Sequence, residues 1–327
     1  MNSSSIFILT LITCVLISYY LYFNVFELVY NKKIHPLINK YKADFNKKRT
    51  VKKQIVWTYI EDPIFFDQDF YLQLLEKKKN VPVLFNFCLQ ILNNKINKDF
   101  NDLIVITPNS IKQYLPDFPI EMNAQSEYTQ KFRVDLLASF LLSKYGGLFV
   151  SPGTVVLEDL DEILYNLKTK YDLITFGGSI RNMNSCNDKN SPGNYILAAN
   201  KNNPTILGYK KRMLNNLNNS GYVDKLASED LLSYSIEENK PTKHFHFNCE
   251  YTGNVDHKNH ILSLDHYFGY EPINFKNKEN LIFIALPYDM ILYDTEYFWI
   301  NNLSKQQFIE ANTNITKVIT EEIYKIK

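Results

Sequence analysis

Two acidic residues follow a serine at Ser228-Glu229-Asp230, directly ahead of the apolar run LLSYSI. A carboxylate in such a place can act as a general base that takes the proton of an attacking hydroxyl group. The same pattern is typical of a helix start, because serine and acidic side chains stabilise the first helical turn. We take Asp230 as the candidate base and keep a helix beginning at Ser228 as the alternative explanation.

Histidines form a second group of candidate residues late in the chain. The H-x-H pair at His244 and His246 can place both rings on one face of a strand, because side chains alternate along a strand. Neutral imidazole is a common metal ligand. No carboxylate cluster accompanies these histidines in the sequence, so positions in loops are the alternative explanation for them. The group comprises His244, His246, His257, His260 and His266.

A third block, Lys131 to Leu160, combines a predicted helix, a glycine pair, a predicted strand and a polar turn. Gly146-Gly147 ends the helical pattern, and Leu148 to Val150 reads as the strand. Ligands of open α/β sheets bind beyond the carboxyl ends of the strands, so this block is a plausible framework for a site. Its helical spacing rests on Val134, Leu137, Leu141 and Tyr145.

Within this block, RVDLLASFLLSKYGGLFVSPGTVVLEDL resembles a segment of the glycosyltransferase sugar-binding region family and of the related capsular polysaccharide synthesis family. That segment reads roughly S-D-x-x-R, a spacer, and G-G-x-[YW]-x-D-x-[DT]. Gln54 to Tyr59 similarly resembles the strand that opens those domains. The resemblance implies a GT-A-like, Rossmann-type α/β domain that transfers a sugar from a nucleotide-sugar donor to a glycan or protein acceptor.

The resemblance also assigns roles to individual residues. It places Asp135 on the family aspartate that contacts the donor sugar, and Trp57 on the opening strand that borders the nucleotide. Gly146 and Gly147 match the glycine pair, where the missing side chains let backbone and ligand come close.

The turn that follows departs from the family pattern. The two carboxylates of the D-x-D motif fall on Ser151 and Gly153, and the family arginine falls on Ala138. Family members usually neutralise the diphosphate with Mg²⁺ or Mn²⁺ held on carboxylate oxygens. Ser151 and Thr154 offer only neutral hydroxyls, so we predict donor contacts from these two residues, no metal ligands, and leave the cofactor open.

Charged residues near the turn do not obviously replace the missing groups. Arg133 lies about 140° around the helix from Ala138, at 3.6 residues per turn. The acidic residues after the turn, Glu158, Asp159 and Asp161, reach back to it only if the turn differs from that of the family.

Three interpretations of the chain follow. It is a metal-independent transferase, a non-catalytic relative that binds a sugar, a nucleotide or a partner enzyme, or a structural membrane protein with a chance match.

The composition is that of an ordinary globular protein, with 45% hydrophobic and 22% charged residues among 327. The 36 basic and 35 acidic residues give a net charge of +1, so there is no general electrostatic reason to expect nucleic-acid binding. The cysteines are widely spaced and form no CxxC pair, which argues against a zinc site. The sequence leaves open whether a single disulfide forms among Cys88, Cys186 and Cys249.

The N-terminal segment 6–23, IFILTLITCVLISYYLYF, carries no charge and approaches the length of a membrane-spanning helix. Tyrosines gather at its end, as at a membrane interface, and no A-x-A cleavage site follows. We expect an uncleaved single-pass anchor after a tail of residues 1–5. A cleaved signal peptide and a buried helix are the alternatives.

The side of the membrane on which the rest of the chain lies stays open. Lysines after the span, among them Lys32 and Lys33, favour the cytoplasm by the positive-inside rule. Candidate glycosylation sequons at Asn218, Asn302 and Asn314 favour a luminal, ER- or Golgi-like location.

Beyond the anchor, the lysine-rich residues 24–53 read as a stem, and 54–327 as one domain without internal repeats. Strands alternate with helices, which predicts an α/β layer with a largely parallel sheet. Helices are predicted around Phe85 to Leu92 and over Lys131 to Tyr145. The predicted strands are Gln54 to Ile60, Asp102 to Thr107, Leu148 to Val150, Asp172 to Phe176, Tyr195 to Ala199 and Asn280 to Leu286.

Overall fold

A computed structural model of the chain describes residues 53–60, 82–122, 129–178, 188, 190–218, 228–293 and 296–326. These residues belong to one compact unit, Lys53–Lys327. The predicted anchor at 6–23 and nearly all of the predicted stem lie outside the described residues. In the ranges given above, no helix has both the length and the hydropathy that crossing a bilayer requires.

A six-stranded mixed sheet forms the centre, in the order β2-β1-β3-β6-β5-β7. Strand β6 pairs antiparallel with both β3 and β5, while the other pairs are parallel. The predicted α/β layer is therefore confirmed, and all strands of this sheet except β6 run in one direction. The strands are β1 (Gln54–Tyr59), β2 (Asn101–Ile106), β3 (Gly147–Val150), β5 (Leu173–Gly178), β6 (Pro192–Ala199) and β7 (His244–Phe247).

Continuous apolar runs explain why the central strands form. Strands β3, β5 and β6 are buried along their whole length, and a strand covered on both faces needs apolar residues at successive positions rather than in alternation. The runs IVWTYI and LIVIT provide the same pattern for β1 and β2. The predicted strands in these five regions are confirmed, within a few residues at each end.

A second, two-stranded antiparallel sheet joins β4 (Thr154–Val156) to β8 (Phe283–Ala285). The late predicted strand is thus confirmed but is shorter than Asn280 to Leu286, because the preceding Lys278–Asn280 forms a 3-10 helix. This pairing matters for the site, since it brings the residues after β8 next to the polar turn between β3 and β4.

Ten helices lie among the described residues. The predicted helices are confirmed as α1 and α3, and Ser228 to Asn239 is helical (α6). In chain order they are α1 (Val83–Asn94), α2 (Ile111–Tyr114), α3 (Gln130–Tyr145), α4 (Asp161–Thr169), α5 (Pro204–Asn218), α6 (Ser228–Asn239), α7 (Leu264–Phe268), α8 (Tyr288–Tyr293), α9 (Lys305–Glu310) and α10 (Asn314–Lys325). A 3-10 helix, Phe298–Asn302, follows α8.

Helix α3 is the element that carries the predicted site residues. The Thr129 side chain accepts a hydrogen bond from the Phe132 N–H at its start, and Gly146 ends it with a φ of 73°. Most of the helix is buried, including the side chains of Arg133 and Asp135. Charged groups are seldom fully buried without partners, so their presence here points to a specific polar environment.

The two described cysteines differ in state. Cys88 is a buried free thiol in α1, and burial raises the pKa of this thiol far above its ordinary value. Cys249 is disulfide-bonded. A disulfide, which the sequence left open, is therefore present at Cys249.

Candidate functional site

A pocket lies where β1 and β3 end side by side. The last residues of β1 and the turn after β3 form one wall, and α1 forms the other. The pocket is small, with a cavity volume of about 20 Å³, and is partly open to solvent. It is lined by Thr58, Tyr59, Ile60, Phe85, Cys88, Leu89, Leu92, Val150, Ser151, Pro152, Gly153 and Thr154.

The turn Ser151–Thr154 is tightly fixed by its backbone. The Ser151 N–H donates to the Tyr195 carbonyl at 2.8 Å, and the Thr154 N–H donates to the Ser151 carbonyl at 3.3 Å. Gly153 has a φ of 77°, a conformation that favours glycine. The backbone of the turn therefore favours a glycine at position 153.

Two hydroxyls of this turn have no hydrogen-bond partner. Ser151 and Thr154 are each 2% exposed, and neither Ser151 Oγ nor Thr154 Oγ1 is hydrogen-bonded. Both residues line the pocket, and their contacts with a donor stay a prediction. A buried hydroxyl without a partner destabilises the folded protein by about 1–3 kcal/mol, so these two groups call for a functional explanation.

Trp57 and the glycine pair form a packed unit at the start of β3, the end of that strand opposite the pocket. The Trp57 indole N–H donates to the Gly146 carbonyl at 2.8 Å. A Cβ atom at Gly147 would lie 2.1 Å from the Ile55 carbonyl oxygen, and one at Gly146 would lie 2.6 Å from the Lys201 nitrogen. The glycines thus allow β3 to approach the neighbouring backbone. The roles of these residues at a ligand stay predictions.

Asp135 lies at the centre of a buried polar network. Its Oδ2 atom accepts hydrogen bonds from Lys131 Nζ at 3.0 Å and Asn194 Nδ2 at 2.8 Å, and from the Ser228 hydroxyl. Lys131 also lies 3.5 Å from Glu229 and 2.6 Å from the Asn194 side-chain oxygen. One lysine therefore faces two carboxylates in a site shielded from water.

The environment changes the acidity of this network. Burial raises the pKa of Asp135, although the Lys131 charge and the Ser228 hydroxyl act in the opposite direction. Desolvation is the largest single influence on Lys131 and lowers its pKa, yet the attraction of Asp135 and Glu229 raises the pKa well above its ordinary value overall. The lysine therefore stays charged, while Asp135 is a weaker acid than usual.

Tyrosines connect the network with the pocket. Lys131 Nζ lies 4.4 Å from the centre of the Tyr195 ring, and that ring lies 6.4 Å from the Tyr288 ring. Tyr288 begins α8 and packs against the turn, because a Cβ atom at Gly153 would lie 3.3 Å from the Tyr288 Cβ. The Tyr288 hydroxyl is buried and has no hydrogen-bond partner.

The two acids of the Ser228-Glu229-Asp230 motif lie in different environments. Asp230, the predicted base, is exposed, whereas Glu229 is buried and faces Lys131. The structure therefore brings Glu229, and not Asp230, together with Asp135. The role of Asp230 as an acceptor base stays a prediction.

A comparison with protein families assigns the chain to one of them. The family model described as capsular polysaccharide synthesis protein matches residues 27–284, most of the chain. The chain belongs to the capsular polysaccharide synthesis protein family. This confirms the second of the two family resemblances drawn from the sequence. No curated protein matches this family member significantly.

Solved structures similar to this capsular polysaccharide synthesis family member include two glycosyltransferases. The PaToxG glycosyltransferase matches with 12% identity and a TM-score of 0.34, covering 82% of this chain and 85% of that one. The glycosyltransferase GlyE of Streptococcus pneumoniae TIGR4 matches with 10% identity and a TM-score of 0.39, covering 84% of this chain and 64% of that one.

The metal ion that the family resemblance implies does not fit the described residues at the turn. Mg²⁺ and Mn²⁺ prefer carboxylate oxygens, and here the two positions are the hydroxyl of Ser151 and the hydrogen of Gly153. No group of three or more histidine, cysteine, aspartate or glutamate side chains that suits a metal occurs in the described parts of this family member.

The acids after the turn do not reach back to it. Glu158 and Asp159 are exposed, and Asp161 accepts a hydrogen bond from Asn101 Nδ2 at 2.8 Å. Asn101 is the first residue of β2, at the opposite end of the sheet from the pocket. These carboxylates therefore do not replace the D-x-D pair.

The histidine pair is held by a threonine. His244 Nε2 and His246 Nδ1 lie 2.8 and 2.9 Å from Thr175 Oγ1, so both rings lie on one face of β7, as the H-x-H spacing predicts. The shared hydroxyl group explains why two polar rings are tolerated beside the buried strand β5.

Sequence reasoning missed several residues of the network. Lys131 had a local signal, because it precedes Asp135 by four residues and so lies on the same helical face. The family arginine, three residues after the aspartate, would occupy that face as well, so Lys131 supplies a cation about two turns earlier than the arginine would. Asn194 and Tyr288 had no such signal, since both come from distant parts of the chain.

Proposed function

We propose that the chain is a membrane-anchored glycosyltransferase of GT-A type that transfers a sugar from a nucleotide-sugar donor to a glycan or glycoprotein acceptor. The observation that carries this proposal is the pocket at the carboxyl ends of β1 and β3, where Tyr59 and Ile60 meet the turn Ser151–Thr154. Ligands of open α/β sheets bind at this edge. Membership of a polysaccharide synthesis family supports sugar chemistry there.

Asp135 acts, in this proposal, by holding the floor of the pocket. Asn194 donates to Asp135, and the next residue, Tyr195, accepts the hydrogen bond of the Ser151 N–H through its carbonyl. The aspartate thus fixes the part of β6 on which the turn rests. A direct contact between Asp135 and the donor sugar, which the family resemblance implies, stays a prediction.

A donor panel tests the proposal. UDP-, GDP- and CMP-linked sugars are screened by thermal shift and by hydrolysis, each in EDTA and in Mn²⁺. A donor present at 100 times its Kd stabilises the protein by about 2.7 kcal/mol. We expect at least one donor to give a shift that weakens in Asp135→Asn, whose shape is preserved and whose folding is checked by circular dichroism. The absence of binding by every donor under both conditions would refute the proposal.

The acceptor base is tested separately with Asp230→Asn. Because this side chain is exposed, we expect unchanged stability and donor binding but slower transfer to an acceptor. General-base catalysis contributes roughly 10²–10⁴-fold in rate. Equal transfer rates in the variant and the native enzyme would assign the base elsewhere.

A second candidate function is a catalytically inactive relative that binds a sugar or nucleotide, or a partner enzyme. The observation in its favour is that no charged side chain of the described residues lines the pocket, although a diphosphate leaving group requires neutralisation of its charge. Donor binding without hydrolysis or transfer to any tested glycan would favour this candidate over the transferase.

Membrane attachment is proposed from residues 6–23. Deleting this segment should move the protein from the membrane fraction to the soluble fraction. In eukaryotic cells, a luminal domain should become glycosylated at the exposed Asn302, with loss of the mass shift in Asn302→Gln. Digestion by protease added to intact vesicles would instead place the domain on the cytoplasmic side.

A further inference from the structure

Lysines cover the flank of the domain that is formed by α2, α3 and α5. These three helices carry a single acid, Asp135, and it is buried. Four of their lysines reach the surface, namely Lys112, Lys144, Lys210 and Lys211, and we call these four the basic face. The flank therefore presents a positive charge that the net charge of +1 of the whole chain does not reveal.

Side-chain contacts place these lysines on one surface. The Lys112 ammonium donates to the Phe118 carbonyl at 2.7 Å, and the Phe118 ring lies 5.3 Å from the Phe140 ring. The Lys210 ammonium lies 3.9 Å from the centre of the same Phe140 ring. Lys144 lies one turn after Phe140 in α3, and its ammonium donates to a backbone carbonyl of α2 at 2.8 Å. The lysines of three helices thus surround one pair of aromatic rings.

Neighbouring acids do not neutralise the basic face. Within the part of the chain that the structure describes, no carboxylate forms an ion pair with any of its four lysines. The exposed Asp117 follows α2 and offsets one of the four charges. Burial and the charge of Lys144 together lower the pKa of Lys210. Like charges that are held together in this way favour an anionic partner.

An exposed leucine lies among these lysines. Leu207 is 44% exposed, and Lys210 and Lys211 follow it by three and four residues, so the three side chains share one face of α5. Helices that lie at a lipid surface combine basic and apolar side chains in this way, because the cations meet anionic headgroups while leucine meets the acyl boundary. A soluble polyanion would leave the leucine without an apolar partner.

The basic face also reaches the edge of the sheet at which the chain enters the domain. The described domain begins at Lys53, directly before β1, and Val56 of β1 pairs with Leu148 of β3. Both strands therefore start at one edge of the sheet, and Lys144 comes shortly before the start of β3. The chain that follows the apolar segment 6–23 thus joins the domain at the edge near Lys144. The pocket lies at the opposite edge.

We propose that the basic face is a docking surface for the headgroups of an anionic lipid bilayer. Phosphate and carboxylate oxygens of the headgroups accept hydrogen bonds from the ammonium groups, and Leu207 enters the boundary between the headgroups and the acyl chains. The inference rests on the membrane attachment proposed above and goes beyond it, because it names the surface of the domain that meets the bilayer.

Vesicles of phosphatidylcholine alone, or of phosphatidylcholine with phosphatidylserine, test the proposal with the full chain. Lysines are acetylated by a reagent that does not cross the bilayer, and mass spectrometry gives the rate at each lysine. We expect slower acetylation of the basic face in the phosphatidylserine vesicles only, and equal rates in both at the exposed Lys278 and Lys317. The difference should vanish in about 1 M salt, where the Debye length is about 3 Å.

Two double variants remove the same charge from different places. A lysine near an anionic lipid surface strengthens binding about fivefold. Lys144→Gln/Lys210→Gln should therefore weaken docking about 25-fold, seen as loss of protection at the two remaining lysines of the basic face. Lys278→Gln/Lys317→Gln is the matched control and should leave the protection intact. Equal protection in the two double variants would overturn the proposal.

Other occupants of the basic face are outcomes of the same experiment. Soluble glycerophosphoserine supplies the headgroup chemistry without a bilayer, so protection by this compound alone would indicate a small-anion site and overturn the membrane proposal. Equal protection in both kinds of vesicle would mean that headgroup charge does not hold the domain, which also contradicts it.

Flotation of the vesicles separates this proposal from that of the apolar anchor. If the full chain floats with both kinds of vesicle and acetylation of the basic face is equal, the anchor stands and the docking surface fails. If the chain floats only with phosphatidylserine and Lys144→Gln/Lys210→Gln does not float, the docking surface stands and the anchor fails. Flotation with neither refutes both. The donor panel decides the transferase proposal independently, because none of these outcomes involves turnover of a nucleotide sugar.

Discussion

Replacing Lys131 with methionine tests the buried network most severely. Lys131 Nζ lies 3.0 Å from Asp135 and 3.5 Å from Glu229, so the variant leaves two buried carboxylates without their cation. Methionine preserves most of the length and apolar character of the lysine stem. The change therefore removes charge and hydrogen bonds while largely preserving packing.

The expected loss of stability follows from the remaining contacts. Removing one partner of a buried ion pair destabilises a protein by about 3–5 kcal/mol. Asp135 keeps its hydrogen bonds from Asn194 and Ser228, so we expect the low end of this range, about 3 kcal/mol. Natural domains have about 5–15 kcal/mol of unfolding free energy, and the variant should fold with a clearly lower urea midpoint.

The loss of stability in Lys131→Met should depend on pH through the pKa of Asp135. Burial already raises the pKa of Asp135, and loss of the lysine charge raises it further. A carboxyl group whose pKa is higher in the folded than in the unfolded state destabilises the folded protein at high pH, and this effect fades as pH falls through the folded-state pKa. The stability deficit of Lys131→Met should therefore shrink from pH about 8 to pH about 5.5.

The assay is urea unfolding followed by tryptophan fluorescence, because the Trp57 indole is 1% exposed in the folded protein and meets water on unfolding. Lys144→Met, in the same helix but exposed, is the matched control and should change the unfolding free energy by less than about 0.5 kcal/mol. The reasoning would be refuted if Lys131→Met unfolded at the native midpoint, or if its deficit grew as the pH was lowered.

Three further tests probe the pocket and the strand β1. Gly153→Ala should lose about 2 kcal/mol of unfolding free energy from its positive φ and aromatic contacts, whereas Gly208→Ala, in helix α5, should stay within about 1 kcal/mol. Trp57→Phe should lose about 1–3 kcal/mol, since the Gly146 carbonyl loses its donor. Cys88, with its raised pKa and 4% exposure, should react with iodoacetamide only after unfolding, even at pH about 9.

These outcomes are checked by urea unfolding for the glycine and tryptophan variants and by mass spectrometry for the thiol. Equal midpoints for Gly153→Ala and Gly208→Ala would contradict the packing of the turn. A Trp57→Phe variant as stable as the native protein would mean that the indole hydrogen bond contributes nothing. Rapid labelling of the native thiol would show that the pocket wall at α1 opens readily.

The strands of the central sheet were largely predictable. Runs such as QIVWTY and DLIVI are apolar at successive positions, which is the pattern of a strand covered on both faces. The antiparallel direction of β6 was not predictable, because the side-chain pattern of a buried strand is the same in either direction. The short strand β4 (Thr154–Val156) also carried too few residues to show a period.

The candidate site was predictable only in part. The turn Ser151–Thr154 could be found because it follows a helix, a glycine pair and a strand in sequence. Two partners of Asp135 could not, since Asn194 and Ser228 come from segments that only the folded sheet brings together. Likewise, the sequence does not show that Gly153 is packed against two aromatic side chains, which is what makes the loss of the carboxylate a structural feature.

Calorimetric titration of the best donor from the nucleotide-sugar panel, in EDTA and again in Mn²⁺, tests the central claim most directly. The claim is that the pocket at the ends of β1 and β3 binds a nucleotide sugar without a metal. It predicts the same Kd under both conditions, and a higher Kd for Ser151→Ala in each. Binding that requires Mn²⁺, or no binding by any donor, would contradict it.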